Sequence, residues 1–165
     1  MSRYRPPRPK SSPYITPQGY RKLEKEMAAL WSKRVSVTKA VTAAAAEGDR
    51  SENAEYIYRK KQLREIDRRI RYLQKRMPDL KLVDKVGDRN AIYFGASTTL
   101  ERTDGTEVEY RIVGADEIEA DSSKGYISID SPLARALLGK QAGDEVSILI
   151  DGEQRSYHII KIRYL

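Results

Sequence analysis

From Tyr20 to Ala44 the core-type positions recur at alternating spacings of three and four: Tyr20, Leu23, Met27, Leu30, Arg34, Val37, Val41 and Ala44. After a short polar break the same rhythm runs through Tyr56, Arg59, Leu63, Ile66, Ile70, Leu73, Met77 and Leu80. A repeat sustained over that length is the seam of a coiled coil. Two such segments joined by a few residues must fold back as an antiparallel hairpin. Thr16 as N-cap and Pro17 at the first helical position mark its start. Pro78 ends the second helix or kinks it near its base. Each helix is expected to have about 28 residues, a hairpin on the order of 40 Å long.

From about residue 81 the period changes to two. STTLER, EVEYRIVG, GYISID, EVSILID and SYHIIKIRYL read as strands, and Asp104-Gly105 and Asp151-Gly152 as hairpin turns. One short helix interrupts them, with Ser131 as N-cap, Pro132 at N1 and Gly139 at its end. The expected class is therefore α+β. Residues 14–80 form the helical hairpin and residues 81–165 a compact α+β domain. Residues 1–13 hold four prolines, four basic residues and no acid. They bury too little to fold and are expected to be a disordered basic arm.

Composition narrows the partner. The 165 residues carry a formal charge of +7, and mean hydropathy is −0.68. A basic chain of this kind suits an acidic partner, such as nucleic acid or an assembly containing it. There is no cysteine, which excludes disulfides, zinc–thiolate sites and cysteine nucleophiles. No apolar run reaches membrane-spanning length and the basic arm lacks the apolar stretch of a signal peptide. The expectation is a soluble cytoplasmic monomer with no membrane partner. His158, the only histidine, lies in a strand pattern. No Ser-His-Asp set, Gly-rich phosphate loop or zinc spacing is present.

Candidate chemistry gathers at the break, AAAAEGDRSENAEY, residues 43–56. The alanines are strong helix formers, and their small side chains also make a slender tip suited to a channel. Asp49 and Glu52 are three apart. If the second helix starts there, both carboxylates share one side of its first turn. Their hard oxygens suit Mg²⁺, but two exposed carboxylates are half a site, and a partner must supply the rest. The plainer alternative is a capping box, Asp49 at the N-cap and Glu52 at N3, and the two roles are compatible. Glu55 reads as a solvated helix residue.

Between Arg59 and Arg76 there are nine basic residues and two acids. Arg59, Lys60, Lys61, Arg64, Arg68 and Arg71 would form a positive ridge leading from the break and attractive to phosphates. Tyr56, Tyr58 and Tyr72 could stack bases, although seam packing is the better reading of Tyr56 and an equal one of Tyr58. A solvated coiled-coil face is the alternative for the ridge.

Three separated segments, ITPQGYRKLEKE, GDRSENAEY and ISIDSPLARALLGKQAGDEV, resemble the bacterial Gre transcript cleavage factors, over about residues 14–165. Arg50, Trp31 and the run RKKQLREIDRRIRYL resemble the GreB subtype more than GreA. The resemblance implies an FKBP-like C-terminal domain. It also implies an elongation factor that binds bacterial RNA polymerase, inserts its coiled coil in the secondary channel and stimulates cleavage of the RNA 3′ end in backtracked complexes. Asp49 and Glu52 would help hold a Mg²⁺ shared with the polymerase and not bound by the free protein. Ser51 and Asn53 would shape the tip. Arg59, Lys60, Arg64, Arg68 and Arg71 would face the nascent RNA, and Asp130, Ser131 and Pro132 the polymerase. The chain would then be an accessory factor, with the cleavage activity belonging to the polymerase. Two other readings stay open: a channel regulator that does not promote cleavage, and a basic coiled coil that binds nucleic acid directly.

Overall fold

A computed structural model of the chain describes residues 6–49, 52–119 and 124–165; the start of the arm, Arg50 and Ser51 lie outside the described residues. The chain forms two compact units. One is Tyr20–Leu80, and the other joins the residues up to Gly19 with Lys81–Leu165.

The first unit is helical. α1 spans Pro17–Ala45 and α2 spans Ala54–Arg76. At the start of α1 the Thr16 hydroxyl accepts the Gly19 N–H at 3.1 Å, the expected N-cap. All sixteen seam positions are buried or half-buried, which fixes the heptad register. Val37, Ile66 and Ile70 form the buried centre, flanked by Met27, Leu30, Val41 and Leu63. Cross-helix bonds give the direction. Glu26 meets Arg69 at 2.7 Å, Arg34 meets Asp67 at 2.6 Å, and the Ala44 carbonyl meets Asn53 at 2.8 Å. The partner's number falls as the α1 number rises, so the helices are antiparallel. Asp67 explains why an arginine is tolerated at the seam position of Arg34; its hydrogen bond raises the guanidinium above its ordinary pKa. At the far end of α2 a 3₁₀ turn, Met77–Asp79, carries Pro78 and stops the α-helix.

α2 has 23 residues, fewer than expected, because it starts at Ala54. Asp49 is therefore not its N-cap and Glu52 is not in its first turn. Asn53 takes the cap, since its side chain accepts the Tyr56 N–H at 3.0 Å. Asparagine ranks with aspartate at this position, so either residue could have started the helix from composition alone.

The second unit is built on a five-stranded sheet. Its strands are β3 (Ser97–Arg102), β4 (Glu107–Val113), β5 (Tyr126–Ser128), β6 (Glu145–Ile150) and β7 (Glu153–Arg163). Their order is β5-β4-β3-β7-β6, with only β4 and β5 parallel. Both turns fall where expected. Gly105 has φ 84°, and Asp151 and Gly152 have φ 50° and 80°, the left-handed pair of a tight hairpin. In β6 Val146 and Ile148 are buried while Glu145, Ser147 and Leu149 are exposed, the expected alternation. α3, Pro132–Leu137, lays Leu133, Ala134 and Leu137 into the core with Leu100, Ile112 and Ile159.

A second, two-stranded sheet was not legible in the sequence. β1, Tyr14–Ile15, pairs in parallel with β2, Lys81–Leu82. The Pro13 carbonyl accepts the Lys81 N–H at 2.8 Å, and the Ile15 carbonyl the Val83 N–H at 3.0 Å. Residues 14–19 thus group with the sheet unit, six residues beyond the boundary the heptads indicated. The Glu117 carboxylate anchors the same segment. It accepts the Thr16 N–H at 3.1 Å, the Thr16 hydroxyl and the Gly114 N–H at 2.7 Å. Gly19 must be small, because a Cβ there would lie 2.1 Å from Glu117 Oε1.

Candidate functional site

Among the described residues, backbone turns and the Asn53 side chain hold the connection between α1 and α2. The Ala46 and Glu47 N–H groups bond the Ala43 and Ala44 carbonyls at 3.2 Å, closing the end of α1. Gly48 follows with φ 138°, a conformation open to glycine. Asn53 then serves both helices. Its Oδ1 caps α2, and its Nδ2 donates a second hydrogen bond to the Ala44 carbonyl in the last turn of α1. Asp49 and Glu52 are exposed residues of this connection, outside both helices. Glu55 is in the first turn of α2 and pairs with Arg59 at 2.7 Å.

Asp49 and Glu52, with Glu47, are the carboxylates of the connection, and such hard oxygens are the donors Mg²⁺ takes. Among the described residues no three His, Asp or Glu side chains are grouped as a metal site would require. Two carboxylates are fewer donors than the octahedral oxygen shell of Mg²⁺ needs.

The ridge divides. At about 100° per residue, Lys60, Arg68 and Arg71 lie within about 40° of Arg64 around α2, whereas Arg59 is turned about 140° away. Arg59 is also occupied: besides Glu55, it donates to Gln62 at 3.1 Å and stands 5.5 Å from the Tyr58 ring. Lys60 lies 5.6 Å from the ring of Tyr56, a half-buried seam residue. Tyr58 and Tyr72 are exposed, so neither is needed by the seam. Trp31 takes part in a groove of about 440 Å³ with Arg34, Arg64, Asp67, Arg71 and Gln74. Trp31 is 44% exposed, a large aromatic residue left partly in solvent on α1. The sequence pointed to Trp31 only through resemblance; that it shares a groove with two ridge arginines depends on interhelical register.

In the other unit the Asp130-Ser131-Pro132 loop opens α3. Ser131 Oγ accepts the Ala134 N–H at 3.2 Å, and the Ser128 hydroxyl and carbonyl accept the N–H groups of Asp130 and Ser131 at 3.1 and 2.9 Å. Its carboxylate is bound from the arm. Ser12 donates its N–H to Asp130 Oδ2 at 2.9 Å and its hydroxyl to Oδ1. No motif marked Ser12, since 118 residues separate the partners. His158 is an exposed strand residue 3.8 Å from Glu145 and belongs to no site described here. Among the described residues no helix is long and apolar enough to cross a membrane.

Two family models match the chain: transcription elongation factor, N-terminal, over residues 13–82, and transcription elongation factor GreA/GreB, C-terminal, over residues 87–164. Transcription elongation factor GreB of Pseudomonas aeruginosa is 52% identical over 99% of this chain and 98% of its own length. The Xanthomonas axonopodis protein of the same name gives 52%, 99% and 98%, and that of Yersinia pestis 50%, 93% and 90%. Among solved structures, GreA factor homolog 1 of Thermus thermophilus aligns with 91% of this chain and 97% of its own, at 22% identity and a TM-score of 0.42. With about half its residues shared with elongation factors across nearly its whole length, the chain belongs to the GreA/GreB family of transcription elongation factors.

Proposed function

We propose that the chain binds bacterial RNA polymerase, places the α1–α2 connection at the polymerase active centre through its secondary channel, and stimulates cleavage of the RNA 3′ end in backtracked complexes. Family membership supports the elongation role. The observation that carries the cleavage reading is the cap. Asn53 fills the N-cap of α2, so an Asp49–Glu52 capping box does not start that helix.

In this reading Asp49 and Glu52 offer two oxygen donors, and acids of the polymerase complete the shell. A Mg²⁺ held there would stabilise the attacking and leaving oxygens of phosphoryl transfer. Rigid placement is the protein's own contribution. Asn53 ties the two helix ends together, and Asp49 and Glu52 are exposed on the connection beside it. Lys60, Arg64, Arg68 and Arg71 contact phosphates of the extruded RNA, a sequence-independent attraction. Glu55 holds Arg59 away from that role. Asp130, Ser131 and Pro132 contact the polymerase surface.

The test is RNA cleavage in a purified backtracked polymerase complex with wild-type protein and the Asp49→Ala and Glu52→Ala variants. Loss of stimulation with polymerase binding retained is the expected result. Wild-type cleavage by both variants would overturn the metal role and favour a regulator that occupies the channel without promoting cleavage.

A further inference from the structure

The basic arm has no role in the account so far, yet its last residues are bound into the sheet unit. Pro13 is tied on one side, its carbonyl accepting the Lys81 N–H at 2.8 Å. Ser12, just before it, sends two donors to one carboxylate: N–H to Asp130 Oδ2 at 2.9 Å, and hydroxyl to Oδ1. The backbone of the Asp130 loop needs no such help, because Ser128 and the Ser131 cap already set it. The two Ser12 bonds act on the Asp130 carboxylate, one on each oxygen.

We propose that Ser12 is a positioning residue for polymerase docking, orienting the Asp130 carboxylate toward a hydrogen-bond donor of the polymerase. The proposal rests on the reading of Asp130 as a polymerase contact. An ionised carboxylate accepts about four hydrogen bonds, and Ser12 uses one site on each oxygen. The donor the carboxylate would meet is a lysine, arginine or backbone N–H of the partner. A clamped carboxylate loses no rotamer freedom when that donor arrives, which is how preorganisation strengthens binding. Proline at 13 helps in the free protein by restricting residue 12 to extended backbone. The arm thus acts at its junction with β1, through one serine, whatever its basic residues do.

The test measures competition of full-length variants for RNA polymerase: wild type, Ser12→Ala, Ser12→Thr, Asp130→Ala and the Ser12→Ala/Asp130→Ala double variant. Ser12→Ala is expected to bind about 3- to 10-fold more weakly, the effect of freeing one immobilised side chain. Ser12→Thr keeps the hydroxyl and should bind like wild type. Asp130→Ala should bind at least as weakly as Ser12→Ala, and the double variant no more weakly than Asp130→Ala, since both changes remove one interaction. Melting of Ser12→Ala should match wild type, which separates positioning from general destabilisation. If Asp130→Ala weakens binding while Ser12→Ala does not, the clamp is overturned and the docking role of Asp130 stands. Wild-type binding by Asp130→Ala overturns both. Tighter binding by Ser12→Ala overturns positioning and makes the arm a mask over the loop.

Discussion

Asn53 donates through Nδ2 to the Ala44 carbonyl at 2.8 Å while its Oδ1 accepts the Tyr56 N–H at 3.0 Å, so one side chain ends α1 and begins α2. The heptads bring the helices together, and Asn53 sets where the chain between them leaves one and joins the other. Asn53→Ala removes both bonds and is expected to destabilise the hairpin by about 1–3 kcal/mol. Asn53→Asp retains the cap acceptor but loses the donor, and should cost less. Thermal melting followed by helical circular dichroism ranks the three proteins. Equal melting of Asn53→Ala and wild type would show that the connection does not depend on this residue.

Asp49→Asn and Glu52→Gln should behave oppositely to Asn53→Ala. Neither residue caps α2, so stability should change by no more than about 0.5 kcal/mol, as at ordinary surface positions. Stimulated cleavage should fall by about 100-fold or more if the carboxylates supply metal ligands. Unfolding midpoints and single-turnover cleavage on the same preparations check both halves. A drop in stability large enough to explain the lost cleavage would return the acids to a structural role.

Gly19 gives a prediction whose sign differs from helix propensity. Alanine in place of an exposed helical glycine normally stabilises by up to about 1 kcal/mol. Here the new Cβ meets Oε1 of a carboxylate whose two oxygens already hold Thr16 and Gly114, and moving Glu117 aside breaks those bonds. Gly19→Ala should therefore destabilise by about 1–3 kcal/mol. Glu117→Ala should destabilise as well, but adding Gly19→Ala to it should cost little further, because the obstacle is gone. Additive losses in urea unfolding would contradict the shared contact.

The heptads, strand alternation, both Asp-Gly turns and the Ser131-Pro132 cap were legible because each rests on neighbours close in sequence. The start of α2 was not. Asp49 and Asn53 are comparable N-cap residues, and the choice between them depends on the Ala44 carbonyl across the hairpin. The β1–β2 pair and the Ser12–Asp130 bonds were also hidden, because two-residue strands carry no period and their partners are distant. For the site, the two acids could be picked out from sequence, but the separation of Arg59 from the other ridge residues needed Glu55 and Gln62 as its observed partners.

The ridge itself can be tested against that separation. Trp31 is the only tryptophan of the chain and shares a groove with Arg64 and Arg71, so its fluorescence reports on what enters there. A single-stranded oligoribonucleotide should change that fluorescence saturably, and less as salt rises, since the attraction is to phosphates. Each contact removed should lower the slope of log affinity against log salt by about 0.7 for a single strand. Arg64→Ala and Arg71→Ala should each do so, whereas Arg59→Ala, already engaged by Glu55, should leave the slope unchanged. In polymerase complexes, neutralising Lys60, Arg64, Arg68 and Arg71 together should impair cleavage of long backtracked RNA more than of RNA backtracked by a few nucleotides. A short extruded end meets the acids of the connection and little of the ridge, whereas a long one must run along α2. Equal loss on both substrates with no salt dependence would reduce the ridge to a solvated helix face, and an equal effect of Arg59→Ala would show that the Glu55 pair does not hold that arginine back.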